Sequence, residues 1–260
     1  MSLNNLLPGV GEHITELRKR LLIALLGLLA ATLASFALAD RAIELLARPI
    51  GGLDKLQVIG VTESVGVFMK VSLLSGFIIA LPLILYEILA FVLPGLKPNE
   101  KRWLIGGIPV ASLLFAAGVL FGYFVMLPAA VPFLVGFLDV QTIPRLSDYM
   151  SFVINLLFWF GLCFETPLLV FLLAKLHVVS AGMLLRQWRV AVVVIAIISA
   201  VATPTVDPVN MFLLMAPLMG LYMLSILLAL AARPPLRQPK PNSARSARRG
   251  WSIIRGRKKK

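Results

Sequence analysis

The chain has 260 residues, of which 59% are hydrophobic and only 14% charged, yet its formal net charge is +13. With a mean hydropathy of +0.93, it carries more apolar surface than one core of this size can hide, which excludes a soluble enzyme and excludes disorder for most of the chain. The single cysteine, Cys163, excludes an intrachain disulfide framework and a cysteine-based zinc site.

In chain order, Val10, Ile14, Leu17 and Leu21 recur at helical spacing and predict an amphipathic helix over residues 1–20. It leads into a first apolar run, 21–39, longer than the roughly 7–15 residues of a secretory signal core, so it reads as a span and not a cleaved leader. Further runs follow at 71–93, interrupted by Pro82 and Glu87, and at 104–127, with Pro109 in its first turns. Next come 150–174, with Glu165 inside, then 190–202, then 211–232 with Pro217 inside. About 20 apolar residues cross a bilayer, and in hydrocarbon only a self-satisfied backbone survives. The expectation is an all-α membrane protein with six transmembrane helices, of which the fifth is short. The ten apolar residues 129–138 are too few to span and read as a separate short helix capping the bundle on its outer, periplasmic face.

The charge is unevenly placed. Residues 233–260 carry eleven basic residues and no acid, whereas 1–232 are nearly neutral at +2. The prolines and serines of that tail predict a disordered basic segment, so the chain divides into 1–20, a bundle at 21–232 and a tail at 233–260. Lys and Arg outside the spans collect on one side: Arg18, Lys19 and Arg20; Lys97, Lys101 and Arg102; Lys175, Arg186 and Arg189; and the tail. The positive-inside rule then places both termini in the cytoplasm. Lys70 is left to snorkel toward the opposite face.

Three carboxylates stand out. Glu165 lies about 14 Å along its helix from Ala174 and about 22 Å from Met150, deep in the membrane. A charged carboxylate there costs roughly 2.5–3.5 kcal/mol to insert. Pro167 follows and opposes the Cys163 carbonyl, so a polar kink is expected. The bland alternative is a carboxyl bonded to a neighbouring helix for packing. Glu16 and Glu100 lie on the basic side near membrane level. Either alone reads as a solvated charge, but together they can form an acidic notch for a cationic peptide.

These segments resemble a known family. HITELRKRL at 13–21, FVLPGLKPNEKR at 91–102, FETP at 164–167 and TPTVDP at 203–208 are similar, in order, to TatC, the multispanning receptor subunit of the twin-arginine protein translocase. Pro49, Phe68, Lys70 and the stretch 82–86 extend the likeness, which covers about residues 10–232. The resemblance implies a cupped bundle that binds signal peptides carrying paired arginines and helps export folded proteins at the expense of the proton-motive force. It assigns signal-peptide binding to Glu16, Glu100 and Phe91, with Arg18 beside them, and an intramembrane role to Glu165 against TatA- and TatB-like single-span partners. It places partner docking at Thr203, Pro204, Asp207 and Met211, and structural roles at Pro49, Pro82, Pro94 and Lys70. Bidentate guanidinium–carboxylate bonding, which lysine cannot copy, suits such a receptor. The resemblance further implies a multimeric complex in the bacterial cytoplasmic membrane, in contact with its lipids. Met211 and Met223 depart from the family pattern, where many relatives place glutamine and glutamate.

No phosphate loop or dinucleotide fingerprint occurs, so no cofactor and no direct use of ATP is expected. Nucleic acid is not expected as a partner. The two histidines, His13 and His177, lie outside the spans, which leaves little for a membrane protease or metalloenzyme. The competing class is a proton-coupled secondary transporter, which shares proline-broken helices and a midplane carboxylate. It predicts an internal two-fold repeat, and no matching pair of motifs occurs. A passive scaffold is a third reading.

Overall fold

The computed structural model describes residues 7–92, 98–136, 143–176, 178–202 and 208–232, and these are almost entirely helical. The expected disordered tail, Pro94 and the TPTVDP segment through Asp207 lie outside the described residues. The described residues form ten α-helices: α1 Leu7–Ser35, α2 Ala39–Ala47, α3 Glu63–Val92, α4 Pro98–Phe121, α5 Leu127–Gly136, α6 Leu146–Phe164, α7 Thr166–Lys175, α8 Ala181–Arg186, α9 Trp188–Ala202 and α10 Pro208–Ala231. Five helical stretches are long and apolar enough to cross a membrane, and α9 is a shorter apolar helix of 15 residues. The expectation of an all-helical membrane protein with one short apolar helix is met.

Three boundaries differ from the sequence reading. The amphipathic N-terminal segment is not a separate element, because α1 runs without a break into the first apolar stretch. The short helix expected at 129–138 is present as α5, but it joins the third apolar helix without a loop. A five-residue turn of π geometry, Gly122–Met126, joins α4 to α5, so an apolar helix runs through Lys101–Gly136. Pro128, just beyond it, lacks the N–H that a regular helix would use, and a π turn absorbs such a local break in the ladder. Third, α2 is an unexpected helix in what reads as an outer loop. It is amphipathic, with Ala39, Leu46 and Ala47 buried and Asp40, Arg41 and Glu44 on its polar face.

Packing follows small residues. Helix α1 lies along α3, where a Cβ on Gly76 would stand 2.6 Å from the Thr32 Cα. Helix α4 lies along α6, where a Cβ on Gly118 would stand 2.6 Å from the Phe160 carbonyl oxygen. In hydrocarbon no solvent drives helices together, so close backbone approach supplies the dispersion contact. The Ser35 hydroxyl, fully buried, shares its proton between the carbonyl oxygens of Thr32 and Ser72 at 2.8 Å and ties α1 to α3. The central core collects Val67, Val71, Met150, Val153, Leu156 and Leu157 from α3 and α6.

At one end of the bundle the helix termini are closed by side chains. Carbonyls in the last turn of α2 accept from tyrosines: Tyr123 donates to the Leu45 oxygen, which also accepts from the Arg48 amide, and Tyr149 to the Leu46 oxygen, both tyrosine bonds at 2.9 Å. Pro49 sits in the short turn Arg48–Ile50, which Gly51 and Gly52 terminate at φ of +101° and +109°. Helix α3 begins eight residues before the apolar run because Glu63 builds its start. The Glu63 carboxylate, 2% exposed, accepts from the backbone amides of Ile59, Gly60 and Ser147 and from Arg145 Nε, at 2.8–3.1 Å. A parallel bridge between Gln57 and Arg145 lies beside it. One carboxylate thus joins the loop before α3 to the start of α6.

Glu63→Gln, which loses the charge that gathers four donors, is expected to unfold at a lower temperature in detergent than the wild type. The exposed Asp148→Asn serves as the unchanged control. Gly76→Val should cost about 3 kcal/mol or more, since the clash is with backbone that cannot move aside; thermal unfolding of the purified chain checks all three.

Candidate functional site

The sequence-predicted site residues fall into three places. The first is the end of the α1–α3 pair opposite the Glu63 clamp. Successive turns of α1 carry His13, Glu16 and Arg20, and the last turns of α3 carry Glu87 and Phe91. Arg20 reaches back one helical turn to Glu16, its Nη2 and Nε donating to the same oxygen at 2.7 and 3.0 Å. It also reaches across to Glu87, Nη1 donating at 3.3 Å. Glu87 is 7% exposed, whereas Glu16 and Arg20 are half-buried. Beside them the His13 and Phe91 rings stack with centroids 4.3 Å apart. Backbone geometry makes this assembly: residues 13, 16 and 20 lie on one face of α1, and 87 and 91 lie one turn apart on α3.

The structure therefore sets Glu16 and Phe91 at the same end of the α1–α3 pair, one bonded to Arg20 and the other stacked on His13, and adds Arg20 and Glu87. Glu87 reads in the sequence only as an interruption of an apolar run. An acid in an apolar run near a basic flank is itself a signal, because such a group needs a cationic partner and Arg20 is within reach. Arg18 is exposed, two residues and so about 200° around the helix from Glu16. Glu100 sits in the first turn of α4, and its side chain lies outside the described residues.

The second place is the α6–α7 junction. Helix α6 ends at Phe164 and α7 starts at Thr166 with Pro167 in its first turn, so the expected kink is present. Glu165 occupies the break. It is 7% exposed, and its Oε1 has no hydrogen-bond partner among the described residues. A polar atom left so costs about 1–3 kcal/mol. Thr166 beside it is exposed and, with Cys163, Gln187 and Tyr222, lines an apolar groove of about 360 Å³ bordered by α9 and α10.

The third place is the start of α10. Met211 is half-buried there, while Thr203, Pro204 and Asp207 lie outside the described residues. Of the residues given structural roles, Pro82 is exposed within a continuous α3. The Lys70 ammonium donates to the Ser151 hydroxyl at 2.9 Å, bridging α3 and α6. Among the described residues no group of His, Cys, Asp and Glu is arranged to hold a metal ion.

Comparison with known proteins adds independent findings. The family model described as Sec-independent protein translocase protein (TatC) matches residues 12–217. The TatC protein of Carboxydothermus hydrogenoformans is 36% identical over 86% of this chain and 93% of its own length. That of Deinococcus radiodurans is 38% identical over 88% of this chain and 89% of its own. A chloroplastic TATC of Arabidopsis thaliana is 40% identical over 82% of this chain and 63% of its own. A crystal structure of the twin-arginine translocase receptor TatC superposes with a TM-score of 0.75 at 35% identity, covering 85% of this chain and 99% of that one.

Replacing Glu165, one oxygen of which is unpaired among the described residues, by an apolar residue of similar length should not weaken the fold, because a buried polar atom without a partner contributes no net stability. Glu165→Leu is expected to unfold at or above the wild-type temperature in detergent. A variant that melts clearly lower would assign the carboxyl a packing role.

Proposed function

The chain belongs to the TatC family, and from that premise we propose that it is the receptor which takes up twin-arginine signal peptides at the cytoplasmic face. As a member of that family it is a membrane component of the twin-arginine translocase. The observation that carries the receptor reading is the seat of Arg20. A guanidinium already rests between two carboxylates, Glu16 and Glu87, at the end of the bundle where lysines and arginines collect. A notch that holds one guanidinium by charge-assisted bonds has the chemistry to hold another, and a planar fork suits it better than an ammonium. Glu100, at the start of α4, supplies the second acceptor that a pair of arginines requires. Phe91, stacked on His13, gives the signal peptide an apolar wall beside the acids.

Around this receptor the other assignments follow. The distribution of Lys and Arg supports both termini in the cytoplasm and a location in a bacterial cytoplasmic membrane. The work is transport of folded proteins, not catalysis, driven by the proton-motive force. The 15 residues of α9 span about 22 Å, less than the roughly 30 Å of hydrocarbon. A short apolar helix seeks partners, which supports docking of TatA- and TatB-like single-span subunits there and at Thr203, Pro204, Asp207 and Met211. Glu165 acts in transport or assembly through its unpaired oxygen.

Two outcomes test the reading. Photocrosslinking from the paired arginines of a signal peptide should reach Glu16 and Glu100, and Glu16→Ala with Glu100→Ala should abolish both the crosslinks and export. Unchanged peptide binding in that double variant rejects the receptor. Because Arg20 competes for Glu16, Arg20→Gln should tighten an Arg-Arg peptide by about twofold, in proportion to the modest strength of a pair one helical turn apart. Peptide titration against the wild type and the variant measures this.

A further inference from the structure

Helices α4 and α7 leave between them a groove of about 730 Å³ whose walls include Arg102, Trp103, Gly106 and Gly107 of α4 and Phe171 and Leu172 of α7. The α4 residues recur at helical spacing and continue to Val110, so the groove descends about 12 Å from Arg102 toward the middle of the membrane. Its floor is made of glycines. Nothing lies within 4 Å of where a Cβ on Gly106 would stand, and one on Gly107 would only touch Leu172 at 3.5 Å. Its mouth is cationic. Arg102 is exposed, and the Lys175 ammonium stands 5.0 Å from the Trp103 ring centre and 5.7 Å from that of Phe171. Those two rings meet edge to face at 6.3 Å.

Neither cation is used elsewhere among the described residues, where the three ion pairs are those of Arg20 with Glu16 and Glu87 and of Arg145 with Glu63. Among the described residues no acid lines the groove. Among the described residues these two cations have no carboxylate partner, and they stand at the head of an apolar groove, where an anionic group carried on an apolar tail would meet both.

We propose that this groove binds an anionic phospholipid, its phosphate between Arg102 and Lys175 and an acyl chain over Gly106 and Gly107. Basic pockets between transmembrane helices on the cytoplasmic side are suited to such headgroups. Arginine supplies the bidentate phosphate contact, and Trp103 sits where amphipathic rings mark the interface. The site is separate from the Glu16 notch and does not depend on the receptor reading.

The test is native mass spectrometry of the full chain released from detergent, with phosphatidylglycerol or phosphatidylcholine added. Wild type should retain phosphatidylglycerol over phosphatidylcholine. Arg102→Gln with Lys175→Gln should weaken phosphatidylglycerol retention by roughly thirtyfold, as expected for two cations near an anionic headgroup. Gly106→Phe, which fills open space, should weaken retention of either lipid while leaving the melting temperature unchanged. The basic segment 233–260 is present in every variant, so its own lipid binding cancels in the comparison. Equal retention of phosphatidylglycerol by the wild type and the double variant overturns the proposal, as does equal retention of the two lipids by the wild type. Retention unaffected by Gly106→Phe overturns the acyl-chain placement.

Discussion

Hydrocarbon offers no hydrogen bonds, and everything in this molecule answers to that constraint. It forces the chain into helices and leaves the helix ends as the places where polar chemistry must be settled. At one end of the bundle a single buried carboxylate, Glu63, does much of this. It gathers three backbone amides and one guanidinium from two loops. Tyr123 and Tyr149 close the neighbouring end of α2 from the other side. With these ends anchored, glycine contacts can bring α1 against α3 and α4 against α6 at backbone distance.

At the opposite end of the α1–α3 pair, the same rule produces a half-exposed ion-pair cluster in place of an enclosed clamp. Glu87 is too buried to stand alone, and Arg20 meets it while still bonded to Glu16. The difference between the two ends is solvent access. Glu63 is enclosed and its bonds are complete, so it serves structure. Glu16 and Arg20 are half-exposed, so their bonds can be exchanged for those of an incoming guanidinium. Glu165 is a third case. It is buried like Glu63, but among the described residues one of its oxygens has no partner.

Much of this is legible in the residues themselves. The spans, the break at Glu165 and Pro167, and the short fifth apolar helix follow from hydropathy and proline chemistry, which act within a few residues. Glu16 and Phe91 are likewise readable, through motifs and charge placement. Glu87 shows in the sequence only as an interruption, because its meaning depends on a residue 67 positions away. Helix α2 escapes a sequence reading because nine amphipathic residues between polar ones look like a loop until Tyr123 and Tyr149 cap them from other helices. The segment 129–138 reads as separate from its helix because proline suggests a stop where a π turn in fact keeps the chain helical.

The sequence by itself determined that the chain lives in a membrane, roughly where it crosses, where its basic charge collects and which carboxylates are out of place. Those properties come from composition and local periodicity, and the bilayer reads them without reference to the fold. Only the tertiary structure decided, among the described residues, which charges are paired and which are not: Glu63 locked by Arg145, Glu16 and Glu87 sharing Arg20, Glu165 with an oxygen unmatched, and Arg102 and Lys175 without a carboxylate. Pairing depends on distances between helices far apart in the chain, and those are set by where glycines let two backbones touch.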